Sequence, residues 1–384
     1  MYNQCWWALS RQTFWGLFGR GNVRALGLAA AFVLSGIGAS AFAQRSPDVL
    51  APGAGPLAVW EDVPGCLNGD PTAPISLCET SLPEDAHVER ALVHLWFLDF
   101  EGARGEAIAA LTGTKPPGEP ELFMARLLLT EFHSTNDRAA LRSGHEYAIR
   151  SLLSAGQIAD KLATLGAIEE AAADWQGALK HFGAAIGIDR NHVFARHRRA
   201  LLMASREMTV EALADADKLT ELQPDGAAWY ELRAKLRVDV RDFQGAVADY
   251  TRALELGGHE YASLLGRGLA NAMIGTLREA IEDFTALIDG GEAARFAMGG
   301  EELADMLQQR GALLLRLGNG PDAARDYLRS LEIGGAQAAL RLQLTLNRLG
   351  WEITVDGVVT EELRRALSEC FVSRRCQPAV LQRA

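Results

Sequence analysis

Between positions 158 and 334 the chain repeats itself every 34 residues. Aligned on Ala178, Ala212, Ala246 and Ala280, each step is 34; a fifth copy, at Ala323, comes 43 after the fourth, as if nine residues were inserted around Gly290–Gly300. Twelve residues before each alanine stands another small residue: Gly166, Ala200, Ala234, Gly268 and Gly311. Four residues after it come Phe182, Ala216, Tyr250, Phe284 and Tyr327, and three before it Trp175, Thr209, Phe243, Leu277 and Gly320. Two antiparallel helices approach closely only where both carry small side chains, so the pairs twelve apart predict a helix hairpin in every copy. One such hairpin cannot bury its own apolar face and must stack on its neighbours. A period of this length therefore predicts a helical array and excludes a sheet-based core.

The 34-residue register, the small pair and the aromatic one turn later resemble the tetratricopeptide (TPR) repeat. The resemblance implies an all-α, TPR-type α-solenoid of antiparallel helix pairs, with a protein or peptide partner along a concave wall of first helices. In that family the fifth, ninth and twelfth positions of each repeat line the groove. Here the fifth are Ala163, His197, Glu231, Leu265 and Gln308; the ninth are Ala167, Leu201, Lys235, Leu269 and Ala312. The Lys and Asn set with which chaperone-binding members grip a terminal carboxylate is absent.

A second periodicity runs through the last four copies. Arg199 and Asp215, Arg233 and Asp249, Arg267 and Asp283, and Arg310 and Asp326 are each 16 apart; the first copy has Leu165 and His181 instead. This spacing sets an Arg on the first helix and an Asp on the second, beside the small–small contact. Charges there are expected to pair within the repeat. A ladder of arginines gripping an anionic ligand is the alternative.

The ends read differently. Arg11, Arg20 and Arg24 precede an apolar run from Ala25 to about Gly38, followed by Ala41-Phe42-Ala43. This is the pattern of a secretory signal cleaved after Ala43, with an uncleaved membrane anchor as the alternative. Export predicts a periplasmic or secreted protein. Without residues 1–43 the chain carries 35 basic against 49 acidic residues, a balance that repels nucleic acid. Residues 44–83 hold seven of the thirteen prolines and form an extended lead-in. Cys66 with Cys78, and Cys370 with Cys376, are the simplest local disulfides in an oxidising compartment. Residues 84–157 read as helical, either worn repeats or a cap, with 86–112 as one apolar-periodic stretch and Ala107 set against the turn residue Gly102.

Residues 335–384 leave the repeat pattern. A helix from Ala336 to Leu349 ends at Gly350, and Thr360 caps a last helix to about Phe371. Leu342-Gln343, Leu349-Gly350-Trp351, Val355-Asp356-Gly357 and Ala366 resemble the helix–loop–helix of peptidoglycan-binding-like domains. That resemblance implies a glycan-binding role for Trp351, Asp356 and Gly357. A helix–loop–helix cap on the array is the bland alternative, with Asp-Gly turning a tight loop. No cofactor, metal or catalytic constellation is legible: His145-Glu146 and His259-Glu260 lack a second His four residues on, and there is no phosphate loop or CxxC. The sequence thus predicts a non-enzymatic, exported scaffold or adaptor of the bacterial envelope; a cell-wall-associated recruiter is the alternative.

Overall fold

A computed structural model describes residues 86–96, 99–112, 119–290 and 300–373. Among them are fifteen helices. In order these are α1 (His87–Trp96), α2 (Phe100–Thr112), α3 (Glu119–Thr135), α4 (Arg138–Ser151), α5 (Ile158–Ala171) and α6 (Trp175–Ile188). Next come α7 (Val193–Ser205), α8 (Thr209–Leu222), α9 (Ala227–Asp239), α10 (Phe243–Glu255) and α11 (Glu260–Ile274). The series closes with α12 (Leu277–Asp289), α13 (Gly300–Arg316), α14 (Gly320–Arg348) and α15 (Glu361–Val372). The fold is all-α, a tandem series of TPR-type helix pairs. The signal, the lead-in, Cys66, Cys78 and Cys376 lie outside the described residues.

The chain divides into two compact units, one ending at Leu202 and one beginning at Met203. Every hairpin of the periodic region turns in the same way. The residue after the first helix takes a positive φ: Ala173 67°, Glu207 64°, Arg241 64°, Gly275 93° and Gly318 83°. The next N–H then reaches back to a first-helix carbonyl, as in Asp174 to Glu169 at 2.8 Å, Asp242 to Arg237 at 2.8 Å and Asn319 to Leu314 at 2.9 Å. This is the glycine-favoring helix stop, yet three of the five copies place a side chain there. Asp174 and Asp242 then cap the second helix, their carboxylates accepting from Gly177 and Gly245 N–H at 3.0 and 2.9 Å.

In the first unit, α5 and α6 meet through Gly166, where an added Cβ would lie 3.0 Å from the Phe182 ring, and through fully buried Ala178. The stretch 86–112 is two helices rather than one. Asp99 ends the first and caps the second, accepting from Gly102 N–H at 2.9 Å. That cap fixes the register: Asp99 precedes Ala103 by four, as Asp174 precedes Ala178. The small pair of this hairpin is therefore Ala91 and Ala103, both fully buried, and Ala107 fills the place of the aromatic. In α3 and α4 the close approach shifts to Gly144, whose added Cβ would lie 3.3 Å from Leu128 Cβ.

In the second unit, Ala234, Ala246, Ala280 and Ala323 are fully buried. Gly268 and Gly311 sit against Phe284 and Tyr327, and Gly266 lies beneath Tyr250. Helix α14 breaks at Gly335 (φ 67°, ψ −163°), a conformation open only to glycine. Beyond the break, α14 and α15 fold back so that Leu342, Leu346, Leu363, Leu367 and Phe371 form one apolar cluster with Ala323, Tyr327 and Leu331. The Tyr327 and Phe371 rings meet edge-on at 5.2 Å.

Candidate functional site

Three of the four repeated arginines are consumed by the fold. Arg233 grips Asp249 with two bonds, Nε at 2.9 Å and Nη2 at 2.7 Å. Arg310 does the same to Asp326, both at 2.7 Å, and Arg267 holds Asp283 with Nη2 at 2.6 Å. All three aspartates are buried. Their carboxylates raise the Arg233 and Arg310 guanidinium pKa above its ordinary value, through hydrogen bonds that outweigh burial. Asp215 is buried as well, and Arg199 is half-buried, its Nη1 3.8 Å from where a Gly183 Cβ would stand.

Each paired arginine has a third arm that spacing did not reveal. Arg233 Nη1 donates to Asp217 at 3.1 Å and to Thr220 at 2.7 Å; Arg267 Nη1 reaches Thr251 at 3.3 Å, and Arg310 Nη1 reaches Thr285 at 3.1 Å. Asp217, Thr251 and Thr285 all lie five residues after a repeat alanine, on the second helix of the preceding copy. One side chain therefore closes its own hairpin and staples it to the one before.

Several positions expected in the groove are not available to a ligand. Ala163, Ala167 and Ala312 are buried. Glu231 is buried too: it accepts the His259 backbone N–H at 2.6 Å, the His259 ring at 2.8 Å and the Ser263 hydroxyl at 3.2 Å. It thus ties down the N-terminal end of α11 from the neighbouring repeat, through one backbone N–H and two side chains. Leu201, Leu265, Leu269 and Gln308 remain half-exposed on the first helices.

The first helices of the first unit carry a set of linked polar groups. Arg126 of α3 donates from Nε to Thr164 at 3.2 Å and from Nη2 to Asp160 of α5 at 3.3 Å. His192, at the start of α7, lies 3.7 Å from the same Asp160. Further along, Arg198 of α7 grips Glu170 of α5 with Nε at 3.0 Å and Nη2 at 2.9 Å. His133 of α3 feels both of these charges. Burial holds its imidazole below the usual histidine value; the Leu129 carbonyl and Glu170 oppose that shift, and Arg198 adds to it.

The C-terminal motif turns inward. Buried Gln343 donates to Asp356 Oδ1 at 2.9 Å and to the Val358 carbonyl at 3.0 Å, and accepts from Asp356 and Gly357 N–H at 3.1 and 2.8 Å. Gly357 needs its φ of +76°, and a Cβ there would meet the Ala336 carbonyl at 3.0 Å. Asp356 also accepts from Val358 N–H at 2.9 Å. That backbone bond, with Gln343, holds the carboxyl below its ordinary range. Trp351 is half-buried against the α14–α15 cluster. The three residues of the glycan resemblance thus serve the loop itself. Cys370 is fully buried. Among the described residues no group of three metal-ligating side chains comes together.

No protein-family model matches the sequence, and no curated protein does. Several solved structures are similar to the chain. PilF of Pseudomonas aeruginosa is 16% identical, with 56% of this chain and 95% of that one covered at a TM-score of 0.45. A tetratricopeptide repeat protein of Parabacteroides merdae is 15% identical, covering 74% of this chain and 97% of that one at 0.41. YrrB, described as a TPR protein with an unusual peptide-binding site, is 15% identical, covering 50% and 96% at 0.36. Likenesses at these scores add nothing to the fold, which rests on the repeat geometry described above.

Proposed function

We propose that this chain is an exported, non-enzymatic scaffold of the bacterial envelope that holds a protein or peptide partner on the outward faces of its first helices. One observation carries the reading. Arg233, Arg267 and Arg310, with their aspartates, are spent on the fold, whereas Leu201, Leu265, Leu269 and Gln308 are left half-exposed on the first helices. Within a unit, a surface of mixed apolar and polar side chains on packed helices suits recognition of an extended or helical segment.

The test is site-directed photo-cross-linking in the native host. A photoreactive residue at Leu201 or Leu269 is expected to give a discrete adduct, and one at exposed Arg325 on α14 is not. Equal labelling from all three, or none from the leucines, removes the reading. Export is tested separately: an N-terminus at Gln44 supports it, and a mature chain retaining Met1 removes cleavage. Among the described residues no helix is long and apolar enough to cross a membrane.

A further inference from the structure

Helix α11 carries an apolar ridge that its own unit covers on one side only. Tyr261, Leu265, Leu269 and Met273 stand four apart and form one inclined row. The first three are half-buried against the cluster of Leu264, Phe284, Leu287 and Leu307, and Met273 is 43% exposed. Leu303 of α13 packs on the same cluster, so the row runs beside the start of the next first helix. At 1.5 Å per residue the row is about 18 Å long. A row of this kind is the surface along which a further helix sets its own ridges.

The row is charged at one end. Glu301, Glu302 and Asp305 occupy the first two turns of α13. Burial pushes the Tyr261 hydroxyl up to about 12, and the Glu302 carboxylate beside it adds to the shift. Burial likewise raises the Asp305 carboxyl, with repulsion from Glu301 and Glu302 adding to it. A single carboxylate suits a helix start, but three within five positions repel one another. The cations of α13 do not relieve them. Arg310 is spent on Asp326 and Thr285, and Arg316, at the far end of the helix, donates to the Ala272 carbonyl at 3.5 Å. Among the described residues neither Glu301 nor Asp305 has an ion-pair partner. The surrounding stretch cannot make up the deficit, since residues 203–373 hold 28 acidic against 18 basic residues.

We infer that this ridge docks an amphipathic helix of a partner protein, its apolar face on Leu265, Leu269 and Met273 and its lysine- or arginine-bearing end over Glu301, Glu302 and Asp305. This names a partner class for the first-helix face and rests on the scaffold reading. The two features divide the work: apolar burial holds the helix, and the carboxylates select its charge and fix which end lies where. Exposed Arg316 stands beside the opposite end, at Ala272, and disfavours a cationic end there.

The probes are two fluorescein-labelled amphipathic peptides that share a leucine face and differ only in ending in lysines or in glutamates. Their binding is followed by anisotropy on the full-length protein. The lysine-ended peptide is expected to bind about tenfold tighter at low salt, with the gap closing as ionic strength rises. Glu301→Gln combined with Asp305→Asn is expected to remove that gap. Leu269→Ala is expected to weaken both peptides about tenfold, and Met273→Ser, where less packing is at stake, about threefold. Glu279→Gln combined with Glu282→Gln takes two exposed charges from α12 and leaves the gap unchanged. The inference is overturned by no binding of the lysine-ended peptide, by equal affinity for the two, by the same change in the α12 control, or by ridge variants that bind as the parent does. Self-association of the protein that Leu269→Ala abolishes would put a second copy on the ridge and overturn it as well. A native adduct from Leu201 with none from Leu269 would remove this inference and leave the scaffold standing.

Discussion

The hairpin α5–α6 and the hairpin α9–α10 place the same bridge at the same register and build it with opposite charges. In the first, Glu169 on the first helix meets His181 on the second at 2.6 Å. Sixty-eight residues later, Arg237 stands in the place of Glu169 and Asp249 in the place of His181, meeting at 2.8 Å. Asp249 then gathers Arg233 as well, at the position that Leu165 holds in the earlier copy. The hairpin thus requires a polar tie beside its small–small contact, and either polarity supplies it. The polarities differ in permanence: a guanidinium stays charged at any accessible pH, an imidazole does not.

The sharpest way to break the comparison is to delete the acidic partner. Asp249→Ala leaves Arg233 and Arg237 without their shared carboxylate and is expected to cost about 3 kcal/mol in urea unfolding. His181→Ala at the matching place, where one neutral-capable pair is lost, is expected to cost about 1 kcal/mol. Equal losses, or none from Asp249→Ala, would mean that the tie is incidental to stability.

Packing around the bridge differs too. Tyr250 is roofed by Gly266, where an added Cβ would fall inside the ring; the equivalent residue in the copy before last is Arg198. Gly266→Ala is expected to cost about 2 kcal/mol, read as a lower melting temperature. The turns give a smaller effect of opposite sign. Ala173 holds a positive φ where later copies have Gly275 and Gly318. Ala173→Gly is expected to stabilise by about 1 kcal/mol, and Gly275→Ala to destabilise by about as much. If Ala173→Gly has no effect, the left-handed turn is not strained.

Acid gives the gentlest test. Burial pushes the Glu106 carboxyl up, but bonds from His87 and Arg90 outweigh it and hold it below its ordinary value. The α1–α2 hairpin therefore gains stability from Glu106 above the ordinary carboxylate range, and loses it as pH falls through the lowered value. Glu106→Gln is expected to flatten that acid limb in a pH series of melting curves.

Much of the fold was legible because period, small residues and caps all follow from one hairpin repeated. The first pair was misread by four residues, since Ala103 and Ala107 are equally small and only the Asp99 cap distinguishes them. Glu231 was read as a groove residue because the fifth position faces outward in the family pattern; here it turns to hold His259 and Ser263. The staples to Asp217, Thr251 and Thr285 were hidden because they join separate copies, and the inserted segment stretches the last separation from 16 to 25 residues. The α3–α5–α7 charge cluster was invisible for the same reason: Arg126, Asp160 and Arg198 come from three different copies.

Those staples bear on how the second unit unfolds. In a linear array, cooperativity depends on how strongly each element is coupled to its neighbour compared with its own stability. A side chain that bonds within its hairpin and across to the previous one makes the two terms inseparable. Melting either of two neighbours breaks the same bond, so each hairpin is weakened by the loss of the one on either side. The second unit thereby behaves as one domino line rather than a row of independent beads.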